Sequence, residues 1–129
     1  NLVVEKSGPA KGCLDLKKGG IFPLTQGLKT LALEHGLSET GSITRLQGLR
    51  REGVFSGTMA EDLRDAFDFL QALRLRTQAA RVRTGAPPSN LVRPDLLPTL
   101  EREGLKDAFR VVLDFQSFLH TKYGLHLIP

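Results

Sequence analysis

The side chains with the most evident chemistry lie between Thr58 and Gly85, in TMAEDLRDAFDFLQALRLRTQAARVRTG. The acids Glu61, Asp62, Asp65 and Asp68 fill the first half, while the second carries Arg74, Arg76, Arg81 and Arg83 and no acid. Guanidinium groups present forked donors that suit carboxylates and phosphates, so the second half could form an anion-binding wall. A structural use competes: the same arginines could pair with Glu101, Glu103 and Asp107 of a neighbouring helix. Arg74 and Gln78, one helical turn apart, share a face. Lys17, Lys18, Gly19 and Gly20 make a second basic element, a glycine-flanked turn whose backbone N–H groups could hold a phosphate, or simply a solvated turn.

No catalytic set accompanies these groups. His35, His120, His126 and Cys13 are scattered, and CxxC, HxxxH and HExxH are absent, so no metal site is expected. Cys13 has no assignable base or orienting group and reads as a small apolar residue rather than a nucleophile. His120 could be exposed on a helix, but no acidic cluster surrounds it as a phosphotransfer site would require. Neither GxxxxGK[ST] nor GxGxxG occurs, and no D-x-D offers the paired ligands that two Mg2+ ions need. Gly41-Ser42 looks like a phosphate-binding turn but starts a helix. The helix around Thr44, Arg45, Gln47, Arg50 and Arg51 has a base-reading composition, against which stands a plain solvated basic face. Nucleic acid is not expected as a partner.

The elements that must position these groups follow from apolar spacing. Pro23 to His35 predicts a first helix, with proline in the first turn and His35 half-buried at the end. Ser42 to Glu52 predicts a second, capped by Ser42 or Thr40. The third opens on Thr58 and Glu61 at capping-box spacing. Its seam is Met59, Leu63, Ala66, Leu70, Leu73, Thr77 and Ala80. The fourth runs from Thr99 to Tyr123 after a short turn at Asp95–Leu97, with Gly104 a weak point after which it could begin. No strand pattern competes. These elements predict an all-α fold: an antiparallel bundle of about four helices, two short and two long, over residues 21–129, behind an irregular lead-in over 1–20.

The totals agree with such a domain. The 129 residues suffice for one core, and 40% apolar with 25% charged residues is ordinary for a globular protein. A net charge of +4 gives a mild bias toward anionic partners, without the Lys/Arg run of a polybasic patch. The lone Cys13 excludes an internal disulfide and fits a reducing, cytoplasmic setting. No segment reads as a signal peptide or approaches a membrane span of ~20 apolar residues. The chain starts without Met and reads as an excised piece or a processed product.

Several phrases together carry a resemblance. They are GCLDLKKGGIFP (Gly12 to Pro23), GLKTLALEHGL (Gly27 to Leu37), ITRL (Ile43 to Leu46), ALRLRTQ (Ala72 to Gln78), GAPPSN (Gly85 to Asn90) and LKDAF (Leu105 to Phe109), with Gln116. In order and spacing over residues 12–123 they resemble the C-terminal substrate-binding domain of bacterial nucleotidyltransferases. Those proteins usually also carry CBS-pair and often cyclic-nucleotide-binding domains. The resemblance implies a non-catalytic module of a signal-transduction enzyme similar to uridylyl- or adenylyltransferases. An upstream catalytic domain would bring the acids, Mg2+ and the NTP, and this module would close one side of its cleft, with no cofactor of its own. Partners implied are the upstream nucleotidyltransferase and sensor domains and an NTP or other anionic substrate; the two long seams would also suit packing against a second copy in a homodimer.

The resemblance carries Lys17, Lys29, Arg45, Arg74, Gln78, Asn90, Lys106 and Gln116 over as substrate-binding candidates. Each has a structural alternative. Lys17 could pair with Asp15 and Arg45 with Glu39, while Lys29 and Lys106 could be solvated. Arg74 and Gln78 could tie the third helix to the fourth through Gln116 or Asp107, and Asn90 could hold its loop by an Asx-type bond. One departure concerns Lys29, where family members often carry arginine; lysine keeps the charge but loses the fork. The alternative function is a regulatory or dimerisation bundle that binds no small molecule.

Overall fold

Apolar residues recurring every three or four positions build four helices in the computed structural model, which describes residues 2, 4–6, 8 and 11–124. His126, considered above as a ligand, lies outside them. The helices are α1 (Phe22–Glu34), α2 (Ser42–Arg51), α3 (Met59–Arg83) and α4 (Thr99–Tyr123). Their buried faces meet in one core. Leu24, Leu28 and Leu31 of α1, Leu49 of α2, Leu63 and Leu70 of α3, and Leu105, Val112 and Phe115 of α4 are essentially inaccessible. The expected all-α bundle is what the chain forms.

The long pair α3 and α4 runs antiparallel, as the ion pair from Arg76, late in α3, to Glu101, early in α4, requires. Leu63, Ala66, Leu70 and Leu73 of the predicted seam are buried. Of the arginines placed beside the acids of α4, Arg76 takes that role, whereas Asp107 pairs within its own helix with Arg110 at 3.0 Å. Gly104 does not delay α4, which begins at Thr99. A Cβ there would lie 2.6 Å from Phe69 Cε1, so the helix–helix approach offsets the loss of helix propensity.

Gly27 sets the spacing of α1 against α4. A Cβ on it would strike Phe115 and lie 2.8 Å from Leu119 Cδ1. Gly27→Ala is therefore expected to cost about 1–3 kcal/mol through overpacking. Urea denaturation tests this. A gain of about 1 kcal/mol, the intrinsic helix preference for alanine, would show that the contact yields freely.

The caps differ from expectation. Thr58 does cap α3 in position, but its hydroxyl donates to Asp62 (2.9 Å) rather than accepting a backbone N–H, and Glu61 turns to Arg50 (2.8 Å). At α2 no side chain caps the start; Thr44 instead donates back to the carbonyls of Thr40 and Gly41. Exposed termini can be satisfied by water, so spacing alone does not fix the partner.

The lead-in is more engaged than its glycines imply. Leu14 and Leu16 are core residues at 4% and 0% exposure. Leu14–Asp15 (β1) pairs antiparallel with Leu91–Val92 (β2), in register Leu14 with Val92 and Asp15 with Leu91. Such two-residue strands show no alternation for sequence to reveal. A wide π-type turn, Lys17–Ile21, then runs directly into α1. Its Gly20 admits Leu70 and Phe109, which a Cβ would meet at 3.0 and 3.2 Å. His35 ends α1 half-buried, its Nε2 without a hydrogen bond and 3.7 Å from Glu34. Glu34 also accepts from Tyr123 (3.2 Å), tying α1 to the end of α4. Burial, then that bond and the carboxylate charge, push the Tyr123 phenol up. Among the described residues no helix is long and apolar enough to cross a membrane.

Candidate functional site

The β1–β2 bridge brings two distant stretches, residues 14–18 and 89–92, to one place. Leu16 donates its N–H to the Asn90 carbonyl at 2.9 Å, extending the pairing by one bond. The loop after α3 is folded back onto its own helix. Ala86 N–H returns to the Arg81 carbonyl, and the Arg81 side chain donates to the Pro87 carbonyl. Ser89 N–H donates to Gln78 Oε1 at 3.3 Å, and Ser89 Oγ accepts from Leu91 N–H at 3.1 Å. The Asx-type role expected of Asn90 thus falls to Ser89.

Asn90 does something else. Its Oδ1 accepts from Arg74 Nε at 2.7 Å and from Gln78 Nε2 at 3.2 Å. The orientation of both amides follows from chemistry. Arginine only donates, so the Asn90 atom facing it is oxygen; a backbone N–H faces Gln78, so that atom is oxygen too. With Oδ1 anchored twice, Asn90 Nδ2 is left as an oriented donor. Arg74 and Gln78, one turn apart on α3, tie that helix to this loop rather than to Gln116 or Asp107.

Beside Asn90 lies a shallow groove of about 250 Å³, lined by Asp15, Lys17, Lys18, Phe22 and Asn90. Asp15 Oδ1 accepts the N–H of Lys17 (3.0 Å) and of Lys18 (2.8 Å). These are two of the N–H groups of the Lys-Lys-Gly-Gly turn that a phosphate could have used, and an intramolecular carboxylate already holds them. What the turn offers is its ammonium side chains.

Charge pairing leaves some described cations without a carboxylate partner, Lys29, Arg45, Arg81, Arg83 and Arg102 among them. Most cations on α2, α3 and α4 meet a carboxylate: Arg50, Arg51, Arg64, Arg76, Lys106, Arg110 and Lys122 all do. Among the described residues, none stands within ion-pair distance of Lys17, Lys18 or Arg74. Arg74 is half-buried, and its side-chain partner is the neutral amide of Asn90. A partly desolvated guanidinium held rigidly by neutral oxygen keeps its charge uncompensated, which favours an anion nearby. Beyond β2, Arg93 and Asp95 form a forked pair (3.3 and 3.1 Å), which raises the Arg93 pKa and lowers that of Asp95 through the shared hydrogen bond.

Of the candidates only Lys17 and Asn90 line the groove; Arg74 and Gln78 touch it through Asn90, and the others lie elsewhere. Lys29 is exposed on α1, two turns after Phe22 on one face and ~10 Å further along the axis. Gln116 is half-buried and lines a second groove, of about 270 Å³, with Gln26, Thr30, His120 and Tyr123. Arg45 donates to the Glu39 carbonyl at 3.2 Å and so holds the α1–α2 loop; the Glu39 carboxylate goes to Arg51 instead (3.0 Å). Lys106 pairs along its own helix with Glu103 at 3.3 Å.

At the far end of α3 the polarity reverses. Asp62, Asp65, Asp107 and Asp114 line a groove of about 320 Å³ together with Arg110. Asp62 and Arg74 are ~18 Å apart along the helix, so the charge switch in the sequence becomes an acidic end and a basic end. No group of His, Cys, Asp or Glu among the described residues is placed to hold a metal ion.

Phe22 and Lys18 were not among the sequence candidates. Lys18 stood in the flagged turn. Phe22 had a signal, four residues beyond Lys18, but spacing cannot say which aromatic side chain stays out of the core; Phe22 remains 52% exposed. A family model described as "Putative nucleotidyltransferase substrate binding domain" matches residues 1–123. No curated protein and no solved structure matches the chain.

Proposed function

This chain belongs to the nucleotidyltransferase substrate-binding domain family, and on that premise we propose that it is a non-catalytic helical unit that holds an anionic substrate at the groove lined by Lys17, Lys18 and Asn90, with Arg74 bonded to Asn90 outside that lining. The carrying observation is the Arg74–Gln78–Asn90 lock, which fixes a half-buried cation with no carboxylate partner beside two free lysines. Such a site contributes positioning and electrostatic stabilisation, not bond making. The reading extends to a multidomain protein of cytoplasmic signal transduction, bacterial in type, with CBS and cyclic-nucleotide sensor domains. There an upstream nucleotidyltransferase domain supplies Mg2+ and NTP chemistry, and this unit closes its cleft. Lys29 extends the same surface along α1, Gln116 lines a second groove between α1 and α4, and Arg45 and Lys106 would need to leave their present partners to take part.

Calorimetric titration with sodium tripolyphosphate tests the anion site. Binding is expected in the isolated chain, weakening as salt rises because lysines at the surface are screened within about 10 Å at 0.1 M. Absence of binding, both in the isolated chain and with the upstream domain attached, would overturn the reading.

A second reading, a docking or dimerisation bundle, is favoured by the exposure of Leu75 (63%) and Val82 (75%) on α3 and Leu100 (87%) on α4. Light scattering discriminates: a strict monomer at high concentration counts against the dimer.

A further inference from the structure

We propose that the groove takes a nucleotide, with the heterocyclic base on Phe22 and the phosphates against Lys17 and Lys18. This rests on the anion-site reading and names its ligand class.

Three observations carry it. First, Phe22 opens α1 with its ring half in solvent, although the other described aromatic residues pack on or in the core. An exposed phenyl ring inside a charged groove is suited to a flat π-system, which stacks on any aromatic face. Second, Phe22 shares the groove with Lys17 and Lys18, whose ammonium groups have no carboxylate partner among the described residues. A purely anionic ligand would use the lysines alone; a purely apolar one would leave them idle. A ligand with both a ring and phosphates uses all three. Third, Asn90 Nδ2 is oriented by the double anchor on Oδ1, giving one directional donor where a ring nitrogen or carbonyl oxygen could accept.

Asp15 also lines the groove. One of its oxygens is committed to two backbone N–H groups. The other repels phosphate on its own side, which favours placing the phosphates toward the lysine ammonium groups.

The groove is small. At about 250 Å³ it has room for a base and part of a phosphate chain, the remainder extending over the exposed face of α1 toward Lys29. An isolated chain is accordingly expected to bind weakly, with the catalytic domain covering the rest.

The experiment compares ATP with tripolyphosphate, both without metal, by calorimetry on the native chain and on Phe22→Leu. ATP is expected to bind at least about fivefold more tightly than tripolyphosphate, the lower bound for one stacked base. In Phe22→Leu that difference should vanish while tripolyphosphate affinity is unchanged, and circular dichroism should confirm an unaltered fold. Amide and ring resonances of Lys17, Lys18 and Phe22 should move with ATP in the native chain. If tripolyphosphate binds but ATP binds no better, or if the difference survives in Phe22→Leu, the base site is wrong and the anion site stands. If neither ligand binds, in the isolated chain or with the upstream domain attached, both fall.

Discussion

Phe115→Ala is expected to remove about 3–5 kcal/mol of stability, the usual cost of truncating a fully buried phenylalanine. Phe115 has no accessible surface, and it lies at the contact of α4 with Gly27 of α1. It also packs edge-on to Phe55 with ring centroids 6.4 Å apart, and is stacked on Phe118 at 6.3 Å. Truncation leaves a cavity bordered by a glycine, which has no side chain to move into it. Against a total of about 5–15 kcal/mol for a domain, this is a large fraction. Thermal unfolding followed by circular dichroism should show a midpoint lower by about 10–20 °C. Phe118→Ala, at a half-buried position of the same cluster, should cost clearly less. A Phe115→Ala loss below about 1 kcal/mol would mean that the α1–α4 contact is not the anchor of the bundle.

Asn90→Asp should nearly abolish tripolyphosphate binding while leaving the fold intact. The substitution keeps an oxygen for Arg74 and Gln78 to donate to, at the 2.7 and 3.2 Å now seen. It also places a negative charge against the one half-buried guanidinium of the site and removes the Nδ2 donor. The Arg74 charge is then neutralised locally, and an incoming anion meets repulsion as well. A loss of at least about tenfold, or 1.4 kcal/mol, is expected at low salt. Arg74→Gln should weaken binding in the same direction, but it also disturbs the lock and so lowers stability. Asn90→Asp separates the two roles, because a merely structural Asn90 would be served equally well by aspartate. Unchanged affinity in that variant would sink the anion site.

Some of this was legible along the chain because it is local. The periodic leucines of α3 and α4, the proline at the start of α1 and the turn after Gly85 act over a few residues, and the helices lie close to where spacing put them. The family phrases are likewise strings, and the family model confirms the domain they indicated. Arg74 and Gln78 could be placed on one face because a helix fixes the i, i+4 relation. Caps were less legible: Thr58 and Glu61 had capping-box spacing, yet each found a different partner. At an exposed helix end several partners and water compete within about 1 kcal/mol, so small differences in surroundings decide.

By itself, the sequence determined a four-helix bundle, its core seams, its family and the absence of any catalytic or metal-binding string. Those properties depend on residue type and on spacing within a helix. Only the tertiary structure decided that Asn90 serves Arg74 and Gln78, that Asp15 takes the N–H groups of the lysine turn, and that Phe22 stays in solvent. The groove exists because Asp15 pairs with Leu91 across most of the chain. That pairing consists of two-residue strands with no pattern of their own, held in place by the burial of Leu14, Leu16 and Val92. Which polar groups then meet depends on how the whole core closes, and no local rule carries that information.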